Sequence, residues 1–258
     1  MIEHTSNEVA YYYYDSHPTE EDLMGETPPH AALVHYLMDV LAWLFHDQLS
    51  AIYENFNFYQ TRNKDEKPLA PDLAVIKGVA HRSVRSWRVG VYGPAPQVVF
   101  EIASEDTWKR DLEEKPDRYA LMGVQEYFAY DPNLPPIRRS ESYRLFGWQL
   151  NKDTGLMQKM TPGPGGRLWS QHLDSLLVPD GSYLRLYDRQ GHLRLTQGEA
   201  ADRRAEAEAQ ARRFAERRAE AEAQARIFAE RRAEVEAEKA RIFAEKLRSF
   251  GLDPEQLL

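Results

Sequence analysis

Cysteine is missing altogether from this 258-residue chain. Its absence removes disulfides, thiolate metal ligands and cysteine nucleophiles, and it suits a reducing compartment. Long apolar runs are missing too. No stretch approaches the roughly 20 residues that a membrane-spanning helix needs. The N-terminal stretch also lacks a basic-then-apolar leader pattern. A cytoplasmic location with no membrane partner is therefore expected. There is no G-x-S-x-G turn, which leaves a serine hydrolase without support. Excess positive charge is lacking as well. The formal net charge of −8 argues against a protein that coats nucleic acid through bulk charge. It does not exclude a local site where a metal and a few cations meet a phosphate.

What is present centres on Pro71–Pro132. Two short apolar runs, Leu73–Ile76 and Val98–Ala103, have strand length and β-branched content. Each carries one acid out of keeping with it. Asp72 stands at the mouth of the first, and Glu101 inside the second, between Phe100 and Ile102. An unpaired buried carboxylate is costly, so Glu101 needs a cation, a donor or water to face. A divalent metal is one such partner, because hard cations take carboxylate and phosphate oxygens. Pro71-Asp72 alone reads as a turn before a strand; paired with Glu101, the site reading is the stronger. A helical pattern then covers Asp111–Met122, with Pro116 placed to delay or kink it. If that helix is continuous, Asp111, Lys115 and Tyr119 share one face. Gly123 stops it, and Glu126–Tyr130 reads as the next strand.

The ordered set Pro71-Asp72, Glu101-Ile102-Ala103-Ser104, Asp111, Lys115, Tyr119, Gly123–Tyr127 and Asp131-Pro132 resembles the PD-(D/E)xK nuclease superfamily and, more narrowly, the Uma-two family of restriction-endonuclease-like proteins. The resemblance covers about residues 25–195. It implies an α/β (α+β) fold with a restriction-endonuclease-like mixed central sheet flanked by helices. It also implies a metal-dependent endonuclease acting on DNA. Asp72, Glu101 and the Ile102 carbonyl would hold Mg²⁺, with Mn²⁺ as a substitute. The superfamily's usual lysine, two places after the acid, is Ala103 here. Lys115 on the following helix matches the family's substitute, and Lys109 is the second candidate. Asp111 and Tyr119 would position Lys115 or contact the backbone. Ser104 would hydrogen-bond near the metal or cap the next turn, the cap being preferred. His30 matches a family histidine near the metal; its plainer reading, a helix-end histidine, is preferred for a lone His.

The other segments carry less chemistry. Residues 1–27 read as an irregular arm, whose tyrosines at 11–14 would stack on bases or pack on the domain. Pro29–Leu49 is helical and apolar on more than one face. Ala51–Arg62 is strand-like. The basic segment Lys77–Arg88 is either a phosphate path or a solvated loop. Ser142–Leu150 and Gly155–Thr161 suggest a strand pair, and Tyr183–Tyr187 with His192–Leu195 a closing hairpin. The restriction-endonuclease-like domain is thus expected over 28–197.

Residues 198–258 form an Ala/Glu/Arg-rich tail of near-repeats beginning at Arg203, Arg217 and Arg231. The composition favours helix. Phe214, Phe228, Val235 and Ile242 fall at multiples of seven, with Ala207 and Ala221 between them, a thin seam for a coiled coil. The tail holds 12 basic and 11 acidic residues from Ala201 to Lys246, so its arginines read as salt-bridged flanks rather than a DNA arm. A homodimer through the tail is one expectation. The alternative to the nuclease is a catalytically inactive nuclease fold acting as an interaction protein through this tail.

Overall fold

A computed structural model of the chain describes residues 27–60, 66–138 and 143–251. Residues 1–26 of the N-terminal arm, residues 63–65 of the loop at 63–68 and the short turn expected at 253–255 lie outside the described residues. The chain divides into two units, the first ending at Gly198 and the second beginning at Glu199. Among the described residues no helix is long and apolar enough to cross a membrane.

Helix α1 covers Pro28–Leu44 and opens on two prolines, whose fixed φ and missing N–H suit a first turn. It buries Leu33, Val34, Leu37, Val40 and Leu41. The strands are β1 (Ser50–Glu54), β2 (Phe58–Tyr59), β3 (Leu73–Lys77), β4 (Trp87–Arg88), β5 (Val98–Ile102), β6 (Glu126–Tyr130), β7 (Leu145–Asn151), β8 (Leu156–Lys159), β9 (Leu168–Ser170), β10 (Ser175–Asp180) and β11 (Tyr183–Tyr187). Helices α2 (Trp108–Glu113) and α3 (Lys115–Met122) join β5 to β6. The central sheet has the order β1-β3-β5-β6-β7-β8. Only β5 and β6 run parallel in it, and a parallel pair needs such a crossover. β5 and β6 are buried at every residue, which is why they read as unbroken apolar runs rather than alternating ones.

The two faces of this sheet bury separate cores. One packs α1 and the small β11-β10-β9 sheet against Val98, Phe100, Phe128 and Tyr130. The other gathers Tyr119 of α3, Trp87 of β4 and Phe58 of β2 over Ala74, Val99, Tyr127 and Ala129. Glu101 alternates with Phe100 and Ile102, so it projects into the second face.

Three expectations change. Ala51–Arg62 is not one strand: Asn55 takes a left-handed conformation at φ 46° and turns the chain between β1 and β2. The hairpin of 183–187 with 192–195 reduces to a bridge between Tyr187 and Leu193. The partner of β11 is instead β10, which the sequence hid behind Pro179. β9 pairs only as far as Leu177, so the missing N–H of Pro179 faces no strand on that side. The helix after β5 is broken at Glu114. Pro116 has no N–H for the carbonyl of Leu112, so the chain ends α2 and restarts at Lys115.

The tail is a single helix, α4 (Gln197–Ser249), of 53 residues and so about 80 Å long. Only Ala200 in it is buried. Arg218–Glu222 and Arg226–Glu230 pair along its surface at 3.0 Å. Phe214, Phe228, Val235 and Ile242 are exposed.

One buried acid serves the fold itself. Glu126, inaccessible to solvent, accepts Ser170 Oγ at 2.5 Å, the Gln171 N–H at 2.8 Å and the His172 N–H at 3.4 Å. It thereby clamps the turn between β9 and β10. Glu126→Ala strands three donors and should lower unfolding stability by about 2–4 kcal/mol. Urea denaturation followed by tryptophan fluorescence checks this; an unchanged midpoint would show the clamp to be dispensable.

Candidate active site

The register of β3 and β5 creates the site. Leu73 opposes Phe100, so Asp72, one residue earlier, falls level with Glu101, one residue later. Residues opposed in this way share a face of the sheet, with Cβ atoms about 5 Å apart. Asp72 Oδ2 accepts the Ile102 N–H at 2.5 Å, where β3 has run out and offers no carbonyl. His30, in the first turn of α1, reaches the other oxygen of Asp72 at 3.1 Å through Nε2. It is therefore bonded to the acid rather than simply ending the helix.

Lys115 Nζ lies 2.8 Å from Glu101 Oε1 and 2.7 Å from Asp111 Oδ1. Tyr119 donates its hydroxyl to the same Glu101 oxygen at 2.6 Å. Although the helix is broken, Asp111, Lys115 and Tyr119 still converge. Ala103 follows Glu101 by two residues on the same strand face, so its small side chain leaves room for the incoming lysine. Lys109 is exposed and lies over the Trp108 ring at 5.6 Å, away from both acids. Lys115 is thus the lysine that the fold brings to the carboxylates.

Ser104 does not touch the acids. It exchanges bonds with Thr107 in a local cap: the Thr107 N–H donates to Ser104 Oγ and the Ser104 N–H to Thr107 Oγ1, each at 3.2 Å. Thr107 in turn donates its hydroxyl to Asp111 Oδ2 at 2.8 Å. Tyr127 donates to the main-chain oxygen of Asp111 at 2.7 Å. From the sequence Thr107 has no expected part, and Tyr127 has only a place in the motif Gly123–Tyr127 without a site role. Thr107 could have been singled out, since it extends the four-residue series of 111, 115 and 119 back by one turn. In the basic segment, His81 stacks on Tyr53 and the Arg82 main chain bonds its hydroxyl, on the sheet face that carries the site, whereas Lys77 ends β3 at its opposite end, about 17 Å from Asp72. Lys77 Nζ donates there to the His172 carbonyl at 2.9 Å.

The electrostatics follow from burial. Removal from water pushes the Glu101 carboxyl up to about 8; the ammonium of Lys115 opposes this, and the charges of Asp72 and Asp111 add to it. Burial disfavours the Lys115 ammonium, but the carboxylates of Glu101 and Asp111 outweigh it and hold the amine above its ordinary value. Lys115 therefore acts as a cation and donor rather than as a base. Burial, then the charge of Glu101, raises the Tyr119 phenol well above its usual range, so it stays a donor.

The oxygens suited to a divalent cation are those of Asp72, Glu101 and the Ile102 carbonyl. Both Glu101 bonds fall on Oε1, and among the described residues Oε2 has no partner. Each Asp72 oxygen accepts one bond and keeps a lone pair. Among the described residues no group of three His, Asp or Glu side chains is arranged to hold a metal ion. Two carboxylates and a main-chain carbonyl are donors of the kind that Mg²⁺ takes alongside water and phosphate oxygens.

Residues 5–170 match the family described as "Uma2: Putative restriction endonuclease". The chain belongs to the Uma2 family. The crystal structure of "a putative nuclease belonging to DUF820" from Anabaena variabilis ATCC 29413 superposes on this Uma2 chain with a TM-score of 0.41 and 12% identity, covering 58% of this chain and 76% of that one. No curated protein matches it.

A pH dependence follows from Glu101. Unfolded, its carboxyl loses its proton near the ordinary 4.5; folded, it keeps it to about 8. The folded state then binds more protons across that window, so stability falls as pH rises from about 5 to 8. Lys115 titrates above this window in both states. Thermal unfolding in the presence of a chelator should show a melting temperature that declines over this range, and Glu101→Gln should flatten the slope. A melting temperature that rises with pH and is unaltered by Glu101→Gln would contradict the assignment.

Proposed function

We propose that this Uma2 chain is a metal-dependent endonuclease that hydrolyses phosphodiester bonds in DNA. One observation carries the reading: Asp72 just before β3, Glu101 of β5 and Lys115 of α3 meet on one sheet face with an oxygen of each acid able to take a further ligand. Asp72, Glu101 and the Ile102 carbonyl would hold Mg²⁺, or Mn²⁺ in its place. A bound metal would supply Lewis-acid stabilisation of phosphate charge and a water of lowered pKa.

The chain's own residues divide the remaining work. Lys115, held protonated between two carboxylates, donates to the attacking water or to a phosphate oxygen and balances charge as it develops. Asp111, fixed by Thr107, keeps the ammonium aimed at Glu101. Tyr119 fixes the Glu101 carboxylate from the other side, and His30 orients Asp72. The full cluster carries three carboxylates against one ammonium, an imbalance that a dication offsets.

A second reading, an interaction protein acting through the tail, is favoured by Phe214 and Phe228, which are 72% and 67% exposed on a helix that buries almost nothing. In this reading the partner is a second copy of the chain, its heptad-spaced seam meeting its counterpart.

Two measurements test these readings. Plasmid and single-stranded DNA should be cut in Mg²⁺ or Mn²⁺ and not in chelator. Asp72→Asn, Glu101→Ala and Lys115→Ala should each lower the rate about 10²–10³-fold, and Lys109→Ala should leave it near that of the native chain. Metal-dependent cutting that survives Glu101→Ala, or no cutting of either DNA, would sink the nuclease. For the tail, sedimentation equilibrium should give a concentration-dependent dimer that Phe214→Ser with Phe228→Ser converts to monomer. A native chain that stays monomeric would remove self-association.

A further inference from the structure

At the end of the sheet opposite the acids lies a cavity of about 520 Å³, within the range that holds small organic ligands. Its walls include Trp43, Phe45, His46, Lys77, His172 and Arg194. None of these belongs to the candidate active site.

The cavity is built from fixed parts. Buried Glu126 clamps the turn at Ser170–His172. The carbonyl of His172 then accepts Lys77 Nζ at 2.9 Å, and the same ammonium lies 5.2 Å over the Phe45 ring. Arg194 is held in a similar way, its Nε donating to Ser175 Oγ at 3.4 Å and a terminal nitrogen to the Asp174 carbonyl at 3.2 Å. Both cations are thus anchored on neutral oxygens, and among the described residues neither forms an ion pair with a carboxylate.

The acids in the lining are mostly committed elsewhere. Asp174 pairs with Arg189, and Asp188 accepts the backbone N–H groups of Gln190 and His192 together with the His192 ring. Asp47 is exposed. The His172 pKa is lowered, by burial first and by Lys77 and Lys152, against the opposing charge of Glu126. Beside the cations, Trp43 and His46 stack at 4.3 Å and 10°. The His46 ring is fixed there by Nδ1 donating to the Trp43 carbonyl at 2.6 Å.

Two cations anchored on neutral oxygens stand beside a stacked aromatic pair. We propose that this cavity binds a small organic anion that joins a planar ring to a phosphate, of the size of a nucleoside monophosphate, with Lys77 and Arg194 on the phosphate and the Trp43–His46 stack against the ring. Charge-assisted bonds to phosphate supply the affinity, and the ring supplies the discrimination against bare anions.

Isothermal titration of the full chain with deoxyadenosine monophosphate tests this. Binding is expected, with inorganic phosphate and deoxyadenosine each at least about tenfold weaker, and Lys77→Gln and Arg194→Gln each weakening the nucleotide about tenfold. Asp72→Asn, at the other end of the sheet, should leave binding unchanged. In the native chain, bound nucleotide should also protect Lys77 from an amine acylating reagent while Lys109 stays reactive, a readout that does not depend on the variants folding. Absence of binding at millimolar nucleotide would overturn the site. So would binding that ignores both cation substitutions, binding lost in Asp72→Asn, or Lys77 left unprotected.

Discussion

The structure depends on accommodating one acid in the middle of a buried strand. Glu101 sits in β5, a strand whose every residue is buried, and is itself 4% exposed. A carboxylate in that position disfavours the folded state unless a cation and donors reach it. Much of the surrounding architecture meets that requirement. The crossover from β5 to β6 places Lys115 and Tyr119 over the strand. The register of β3 places Asp72 beside it, and Asp72 is in turn satisfied by a strand-end N–H and by His30 from the opposite layer. Elements from both faces of the sheet therefore converge on its Asp72 end.

The lysine's place on a helix has structural consequences. A lysine on β5 at position 103 would project beside Glu101 with nothing but its own strand to hold it. Coming from α3, the ammonium ties helix to sheet and needs a second carboxylate, Asp111, to fix it. Asp111 then needs Thr107 and the hydroxyl of Tyr127. The break at Pro116 fits this arrangement. It ends α2 at Glu113 and lets α3 start at Lys115, so that the first residue of a new helix is the one that faces the strand.

How much of this could be read from the sequence follows the range of the forces involved. β3, β5 and β6 were legible because buried strands write themselves as local apolar runs. The break at Pro116 was legible as a risk, since proline's missing N–H is a local fact. β10 was not legible: Pro179 reads as a strand breaker unless one knows that β9 stops short of it. The pairing of β11 with β10 rather than with residues 192–195 depends on that same long-range fact. Among the site residues, the Asp72–Glu101 pair and the helix lysine could be named from pattern and resemblance. The bond from His30 to Asp72 spans 42 positions, and no local rule supplies it. A lone histidine at a helix start looks the same whether or not an acid waits across the sheet end.

The two buried glutamates show how such groups can be sorted on physical grounds. Glu126 and Glu101 are both out of water, on neighbouring strands and opposite faces. Glu126 receives three bonds spread over both of its oxygens from one turn. It is a fastener, and its effect on any ligand passes through the turn it holds. Glu101 places both of its bonds on one oxygen and leaves the other unbonded. Its carboxyl is pushed up to about 8 chiefly by removal from water, with the charges of Asp72 and Asp111 adding to the shift and the Lys115 ammonium opposing it. Burial is thus common to both acids. What separates the two is an oxygen that takes no bond from the described residues, and only Glu101 has one.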